Sequence, residues 1–246
     1  AGKESVARQI HAASARAKGP FIVVNCASLS LDTFEKQFFG EIRAQAEQGS
    51  SLIQIGFLEM ADKGTLYLDG VNELPVAAQG KLLKVLHDNK FQRLQSPAST
   101  SFDVRIISSC SKNIKDALEK KVFREDLYYR LSLFVIDLLP LRNRSEDVLP
   151  LVDYFNAYIA SIEGKHPMHL EQDAQMALQN YAWPGNVRQL RNTIEWFFIM
   201  YGDKAEQRSI ALQDLPADIV SEHQTVMPSD DQWHTLLKLP LREARE

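Results

Sequence analysis

Hydrophobic positions along the chain change their spacing several times, and each change marks an element. Val6, Ala7, Ile10 and Ala13 recur at helical intervals, which predicts a helix starting almost at the first residue and broken by Gly19-Pro20. Phe21-Ile22-Val23-Val24-Asn25 is a continuous apolar run closed by a polar residue, the pattern of a strand buried on both faces. Thr65 to Asp69, Val104 to Ser109 and Leu133 to Leu138 read the same way. A helical pattern lies between them at Leu82, Leu83, Val85 and Leu86. Strands alternating with helices predict a parallel sheet with helices on both faces. Phe91 to Leu94, the turn-forming Ser96-Pro97-Ala98-Ser99-Thr100, and Ser101-Phe102 predict a small hairpin before the third strand.

Beyond Pro140 the pattern becomes wholly helical. Ser145 suits an N-cap, with Glu146 and Asp147 in the first turn where the helix dipole favours acids. Val148, Leu151, Val152, Phe155, Ile159 and Ile162 form one apolar stripe, and a second helix is centred on Ala174, Leu178 and Tyr181. Trp183-Pro184-Gly185-Asn186 turns the chain into a third, striped by Val187, Leu190, Ile194 and Phe198. From about Val220 the sequence is polar until Trp233, Leu236, Leu237 and Leu239, the pattern of a linker with a short amphipathic end. The expected organisation is an α/β subdomain over 1–142, a helical subdomain over 143–219 and a linker over 220–246.

A chain of 246 residues with 45% hydrophobic content can bury a substantial core as one large domain or two smaller ones. No apolar stretch approaches the roughly 20 residues of a membrane-spanning helix, so no membrane partner is expected. Two cysteines, Cys26 and Cys110, each follow an apolar run; they are too few for a disulfide framework and read as reduced core thiols of a cytoplasmic protein. The net charge of -4 argues against an extended DNA-gripping basic face on this chain itself.

Four segments could carry chemistry. Gly2-Lys3-Glu4 opens a helix, where backbone amides and a lysine can cradle phosphates; the alternative is a terminal lysine in solvent. Asp69 closes a buried strand, a position suited to holding Mg2+ beside a phosphate, or simply to capping a turn with Gly70. Arg124 and Arg130 flank Glu125-Asp126-Leu127-Tyr128-Tyr129 and can act on phosphate or form ordinary surface ion pairs. Arg188 lies just inside the third helix of the helical part, where an arginine usually faces solvent.

Lys63 to Pro75, Phe123 to Leu131 and Trp183 to Asn192 together resemble the central AAA+ ATPase domain of bacterial enhancer-binding activators, the NtrC-family partners of sigma-54 RNA polymerase. Gly2-Lys3-Glu4 and Val24-Asn25-Cys26 extend the similarity, which runs from Gly2 to about Val220. The resemblance implies an AAA+ P-loop three-layer sandwich with a parallel sheet and a small all-helical lid. It implies ATP or ADP and Mg2+ as ligands: Gly2, Lys3, Glu4, Asp69 and Arg188 on the nucleotide, Asp69 on the metal, and Asn25, Arg124 and Arg130 in catalysis. Arg124 and Arg130 would act across a subunit interface, so self-association as a dimer or ring is expected. Ser111 stands where many members carry a polar sensor, or is a plain strand-end serine. The strand feeding the phosphate loop would lie before Ala1.

Two departures matter. The family follows its magnesium aspartate with a water-activating glutamate, and this chain has Gly70; loss of a general base typically costs about 10²–10⁴ in rate. Glu73 lies too far along the chain to be assumed a substitute, and a base from another nearby carboxylate stays open. Between Phe39-Gly40 and Gly56-Phe57-Leu58-Glu59, residues 41–55 hold no Gly-Ala-Phe-Thr-Gly-Ala, the loop that grips sigma-54, so sigma-54 is not an expected partner. The missing loop and the end Leu239 to Glu246 are most similar to the NtrX-like branch, regulators with a phosphoacceptor receiver and a helix-turn-helix domain. The resemblance thus implies a sensor kinase and DNA as partners through domains outside this chain. Three readings stay open: an ATP-binding, self-associating regulatory module with little hydrolysis, a competent ATPase using another carboxylate, or a dimerisation domain with a decayed site.

Overall fold

The computed structural model describes residues 2–44, 51–110, 114–204 and 208–226. The chain divides into two compact units, Gly2–Asp137 and Leu138 onward. The first begins with α1 (Lys3–Ala12), β1 (Phe21–Asn25), α2 (Leu31–Phe39), β2 (Glu41–Ala44), β3 (Ser51–Gln54), α3 (Phe57–Met60) and β4 (Thr65–Asp69). It continues with α4 (Val76–Asp88), β5 (Lys90–Gln92), β6 (Ser99–Ser101), β7 (Arg105–Ser108), α5 (Ile114–Glu119) and α6 (Glu125–Leu131).

β1, β4 and β7 form a parallel sheet in the order β1-β4-β7, with Asn25 opposite Asp69 and Leu68 opposite Ser108. β4 is central, and its first four residues are all buried, as a strand covered on both faces requires. Val24, Leu66 and Leu68 pack with Phe34, Phe38, Leu58, Leu82 and Leu127 into one core. In α1 the buried residues are Ala7 and His11, and His11 Nδ1 lies 2.9 Å from Thr65 Oγ1, which ties the first helix to β4. The α4 stripe holds as expected, with Leu82, Val85 and Leu86 buried. The expected hairpin is present as antiparallel β5 and β6. A second hairpin, β2 with β3, occupies the segment read only as a loop.

One expected strand does not form. Leu133 to Leu138 pairs with nothing among the described residues, and Leu133 and Phe134 are each 84% exposed. Apolar content predicts burial, but a strand also needs a hydrogen-bonded neighbour, and here the run has none.

The second unit contains α7 (Val148–Glu163), α8 (Gln172–Asn180), α9 (Asn186–Tyr201) and α10 (Ala217–Val226). Ser145 is not the cap of α7: Ser145–Asp147 forms a 3-10 turn and the helix starts at Val148. α10 was not expected; it carries the chain past Val220 to Val226, burying Ile219 in the helical core. Ile162, expected in the α7 stripe, is 65% exposed, whereas Asn156 is buried. The Asn156 amide donates to Met168 O at 2.7 Å and accepts from Met168 N at 3.0 Å, so a polar residue fills a core position without an unpaired group. Trp183 is fully buried, adopts φ 48, and donates from Nε1 to Leu178 O at 2.8 Å. Trp233 and the segment Leu239 to Glu246 lie outside the described residues.

Candidate functional site

Parallel strands all point one way, so polar residues at their C-terminal ends converge on one edge of the sheet, where open α/β sheets bind ligands. Here that edge gathers Asn25 at the end of β1, Asp69 at the end of β4, and Ser109 just past β7. Lys3, at the start of α1, reaches the same edge: its Nζ donates to Cys110 O at 2.7 Å.

Asp69 is held from two sides. Tyr67, two residues back on the same face of β4, donates its hydroxyl to Asp69 Oδ1 at 3.0 Å. Ser109 Oγ donates to the same oxygen at 2.6 Å and accepts from Gly70 N at 3.0 Å. Val71 N donates to Ser109 O at 2.9 Å and Ser109 N to Leu68 O at 2.8 Å, so Ser109 locks the exit of β4 to the end of β7. Burial, with Asp69 adding to it, pushes the Tyr67 phenol above its ordinary value of 10 and keeps it a donor. Burial, then Asp69, pushes the neighbouring Cys26 thiol up to about 12, leaving it inert. Cys26 and Cys110 are both free thiols, the second only partly buried.

This arrangement suits a phosphate-bound Mg2+. Magnesium takes one or two carboxylates plus substrate oxygens rather than a protein cage, and Asp69 supplies an oriented carboxylate at the sheet edge. Among the described residues no cluster of three or more histidine, cysteine or acidic side chains suits a transition metal. Lys3 is the nearby cation for a phosphate, held by a carbonyl that such a ligand would replace. Gly2, φ 81, precedes the first turn of α1. The Glu4 carboxylate is engaged by Arg8 at 2.7 Å on the exposed side of that helix.

The other expected residues lie elsewhere. Arg124 caps α6 and is fastened to α4, its backbone N–H donating to Gln79 Oε1 at 2.9 Å. Its guanidinium makes a two-pronged pair with Asp126, at 3.0 and 2.7 Å, and is 43% exposed, the ordinary surface pairing that the sequence left open. Arg130, also exposed, donates to Leu86 O at 2.8 Å at the other end of α4. Arg188 is exposed in the first turn of α9, in the other unit. Ser111 lies outside the described residues.

Two residues escaped the sequence reading. Ser109 is more than a strand end, because a hydroxyl at the carboxyl end of a parallel strand is itself the signal of this edge. Glu73 is three positions from Gly70 in sequence, yet Val71–Glu73 forms a 3-10 turn closed by Glu73 N donating to Gly70 O at 2.8 Å. Gly70 is in the left-handed region, φ 70 and ψ 48, and a Cβ placed on it would lie 3.4 Å from Glu73 Cγ. The turn thus carries the Glu73 side chain back to the space that a residue-70 side chain would enter.

The Sigma-54 interaction domain family matches residues 1–137, and the AAA+ ATPase lid domain family matches residues 142–232. The nitrogen assimilation regulatory protein NtrX of Azorhizobium caulinodans is 40% identical over 245 residues, all of this chain and 53% of that protein. The DNA-binding transcriptional regulator NtrC of Klebsiella pneumoniae is 38% identical over 96% of this chain and 50% of its own length. A crystal structure of NtrX from Brucella abortus in complex with ATP superimposes with a TM-score of 0.81 at 38% identity, covering 99% of this chain and 52% of that one. A complex of the same protein with ADP gives 0.81 at 39%. The chain spans about half the length of the curated relatives it matches. With the AAA+ α/β fold and helical lid in place, this chain belongs to the sigma-54 interaction domain family of NtrC- and NtrX-type transcription regulators.

Proposed function

We propose that the chain is the ATP-binding, self-associating regulatory domain of a two-component DNA-binding transcription regulator, and that it hydrolyses ATP slowly. The observation that carries this reading is the convergence of Lys3, Asn25, Asp69 and Ser109 at one edge of the parallel sheet. NtrX of Brucella abortus, similar over this whole region, has been crystallised with ATP and with ADP. In this reading Gly2 and Lys3 face the phosphates, Glu4 opens the same helix, Asp69 holds Mg2+, and Asn25 lies beside the reacting phosphate. Mg2+ supplies neutralisation of phosphate charge when bound. Tyr67 and Ser109 keep Asp69 oriented, and Arg188 reports nucleotide state from the lid.

Arg124 and Arg130 serve a neighbouring subunit, exchanging their intrachain partners for phosphate when copies associate. With Gly70 after Asp69, hydrolysis is slow, and ATP acts mainly by its different affinity for separate and assembled states. Residues 41–55 lack Gly-Ala-Phe-Thr-Gly-Ala, so sigma-54 is not engaged. DNA and a sensor kinase are met through a helix-turn-helix and a receiver domain, in the cytoplasm. Residues 1–142, 143–219 and 220–246 then serve as nucleotide-binding part, lid and connection.

Equilibrium titration of the full-length protein with labelled ATP, with and without Mg2+, tests the reading. Saturable binding weakened by Lys3→Ala is expected, together with nucleotide-dependent association. Turnover about 10² or more below that of a relative carrying the glutamate is also expected. A folded protein that binds no ATP would leave only a dimerisation role.

A further inference from the structure

The absent glutamate leaves a specific chemical gap, and the turn after β4 brings the Glu73 side chain beside it. Gly70 takes a left-handed conformation, and the space a side chain there would enter is bordered by Glu73 Cγ, 3.4 Å from the Cβ position. One contact closes this turn and two fix it to Ser109. Glu73 N donates to Gly70 O at 2.8 Å, Gly70 N to Ser109 Oγ at 3.0 Å, and Val71 N to Ser109 O at 2.9 Å. The same Ser109 hydroxyl holds Asp69. Asn72 Nδ2 donates to Glu73 Oε1 at 2.8 Å and so helps to set the carboxylate's direction. Glu73 is exposed, so a proton it takes from water can pass on to solvent.

From this we infer that Glu73 is the general base of the chain's slow ATP hydrolysis, acting from a 3-10 turn in place of a side chain at position 70. The inference rests on the ATP-site reading above. In the step, the Glu73 carboxylate accepts a proton from the water whose oxygen bonds to the γ-phosphorus. The bond from γ-phosphorus to the bridging oxygen breaks, and its electron pair leaves with ADP. Inorganic phosphate is the other product, and Glu73 then releases its proton to solvent. A base on a side chain three residues on is less firmly held than one fixed directly beside Asp69, so the turnover expected from it is slow.

The test compares wild type, Glu73→Gln and Glu73→Asp in the full-length protein at saturating ATP and Mg2+. Wild type is expected to turn over slowly, and Glu73→Gln to lose about 10²-fold of that rate, the lower end of the roughly 10²–10⁴ typical of general-base loss. Affinity for ATP should change less than about twofold, because the carboxylate acts on water and not on the nucleotide. Chromatography of the nucleotide recovered from the protein should give ATP for Glu73→Gln and a growing share of ADP for wild type. Glu73→Asp should fall between them. A Glu73→Gln protein that binds ATP and turns it over as wild type does overturns the inference and leaves the ATP-site reading standing, as does a wild type that binds ATP without turnover. A Glu73→Gln protein that loses ATP affinity and thermal stability in step shows a purely structural role and overturns it too. Failure of wild type to bind ATP removes the ATP-site reading itself, and the base with it.

Discussion

Replacing Gly70 by alanine opposes two effects of known sign. In a conformation that alanine can adopt freely, the change would stabilise by about 0.4–1 kcal/mol, through the narrower unfolded ensemble. Gly70, however, sits at φ 70 and ψ 48, where an L-residue costs roughly 1–2 kcal/mol. The added Cβ meets nothing closer than Glu73 Cγ at 3.4 Å, an ordinary contact with a movable side chain. The backbone term therefore wins, and a net loss of about 1 kcal/mol is expected. For a unit of this size that lowers the transition temperature by about 3–5 °C. Gly70→Asn is the informative partner, because asparagine tolerates the left-handed region better and should lose less than alanine. Gly70→Glu should lose as much as alanine, since the cost lies in the backbone and not in the side chain. Calorimetric scans, with the α/β transition separated from that of the lid, give the ranking glycine, asparagine, then alanine with glutamate. A Gly70→Ala protein as stable as wild type or more so would refute the left-handed turn, and with it the argument that position 70 requires glycine.

Ser109→Ala removes one of two donors to Asp69 and the acceptor for Gly70 N, so a loss of about 1–3 kcal/mol is expected, with weaker Mg2+-dependent ATP binding; unchanged melting and affinity would contradict the linking role. In the lid, Trp183→Ala should cost about 3–5 kcal/mol, because the ring is fully buried, and Trp183→Phe clearly less; denaturant unfolding followed by circular dichroism measures both. Hydrogen bonds from Arg16 and from Lys63 hold the Asp103 carboxyl below its ordinary value of 3.8. Its folded pKa is thus the lower one, so its contribution is present above about that ordinary value and fades as pH falls through the lowered one. Asp103→Asn should therefore flatten the acid side of the stability profile while leaving the rest of its shape alone, as an acid titration of unfolding would show.

Local chemistry determined much of this protein. The apolar runs of β1 and β4 each end in a polar residue, and the stripes of α4 and α9 repeat at helical spacing. Such patterns are set by neighbours a few positions away, so they survive being read one residue at a time. The aspartate after Leu66-Tyr67-Leu68 and the lysine opening α1 were visible for the same reason. What the sequence could not show depends on partners distant along the chain. Leu133 to Leu138 has a strand's composition but no ladder neighbour among the described residues, and pairing is a tertiary property. Asn156 reads as polar, yet its two bonds to Met168 make it a core residue. Ser109 joins Asp69 across 40 positions of sequence, a link that only the β4–β7 register creates. Glu73 lies close to Gly70 in sequence, but spacing alone left its direction open. The left-handed φ of Gly70 and the turn that follows bring Glu73 Cγ to 3.4 Å from the Cβ position of residue 70, because three residues of backbone can carry a side chain away or fold it back.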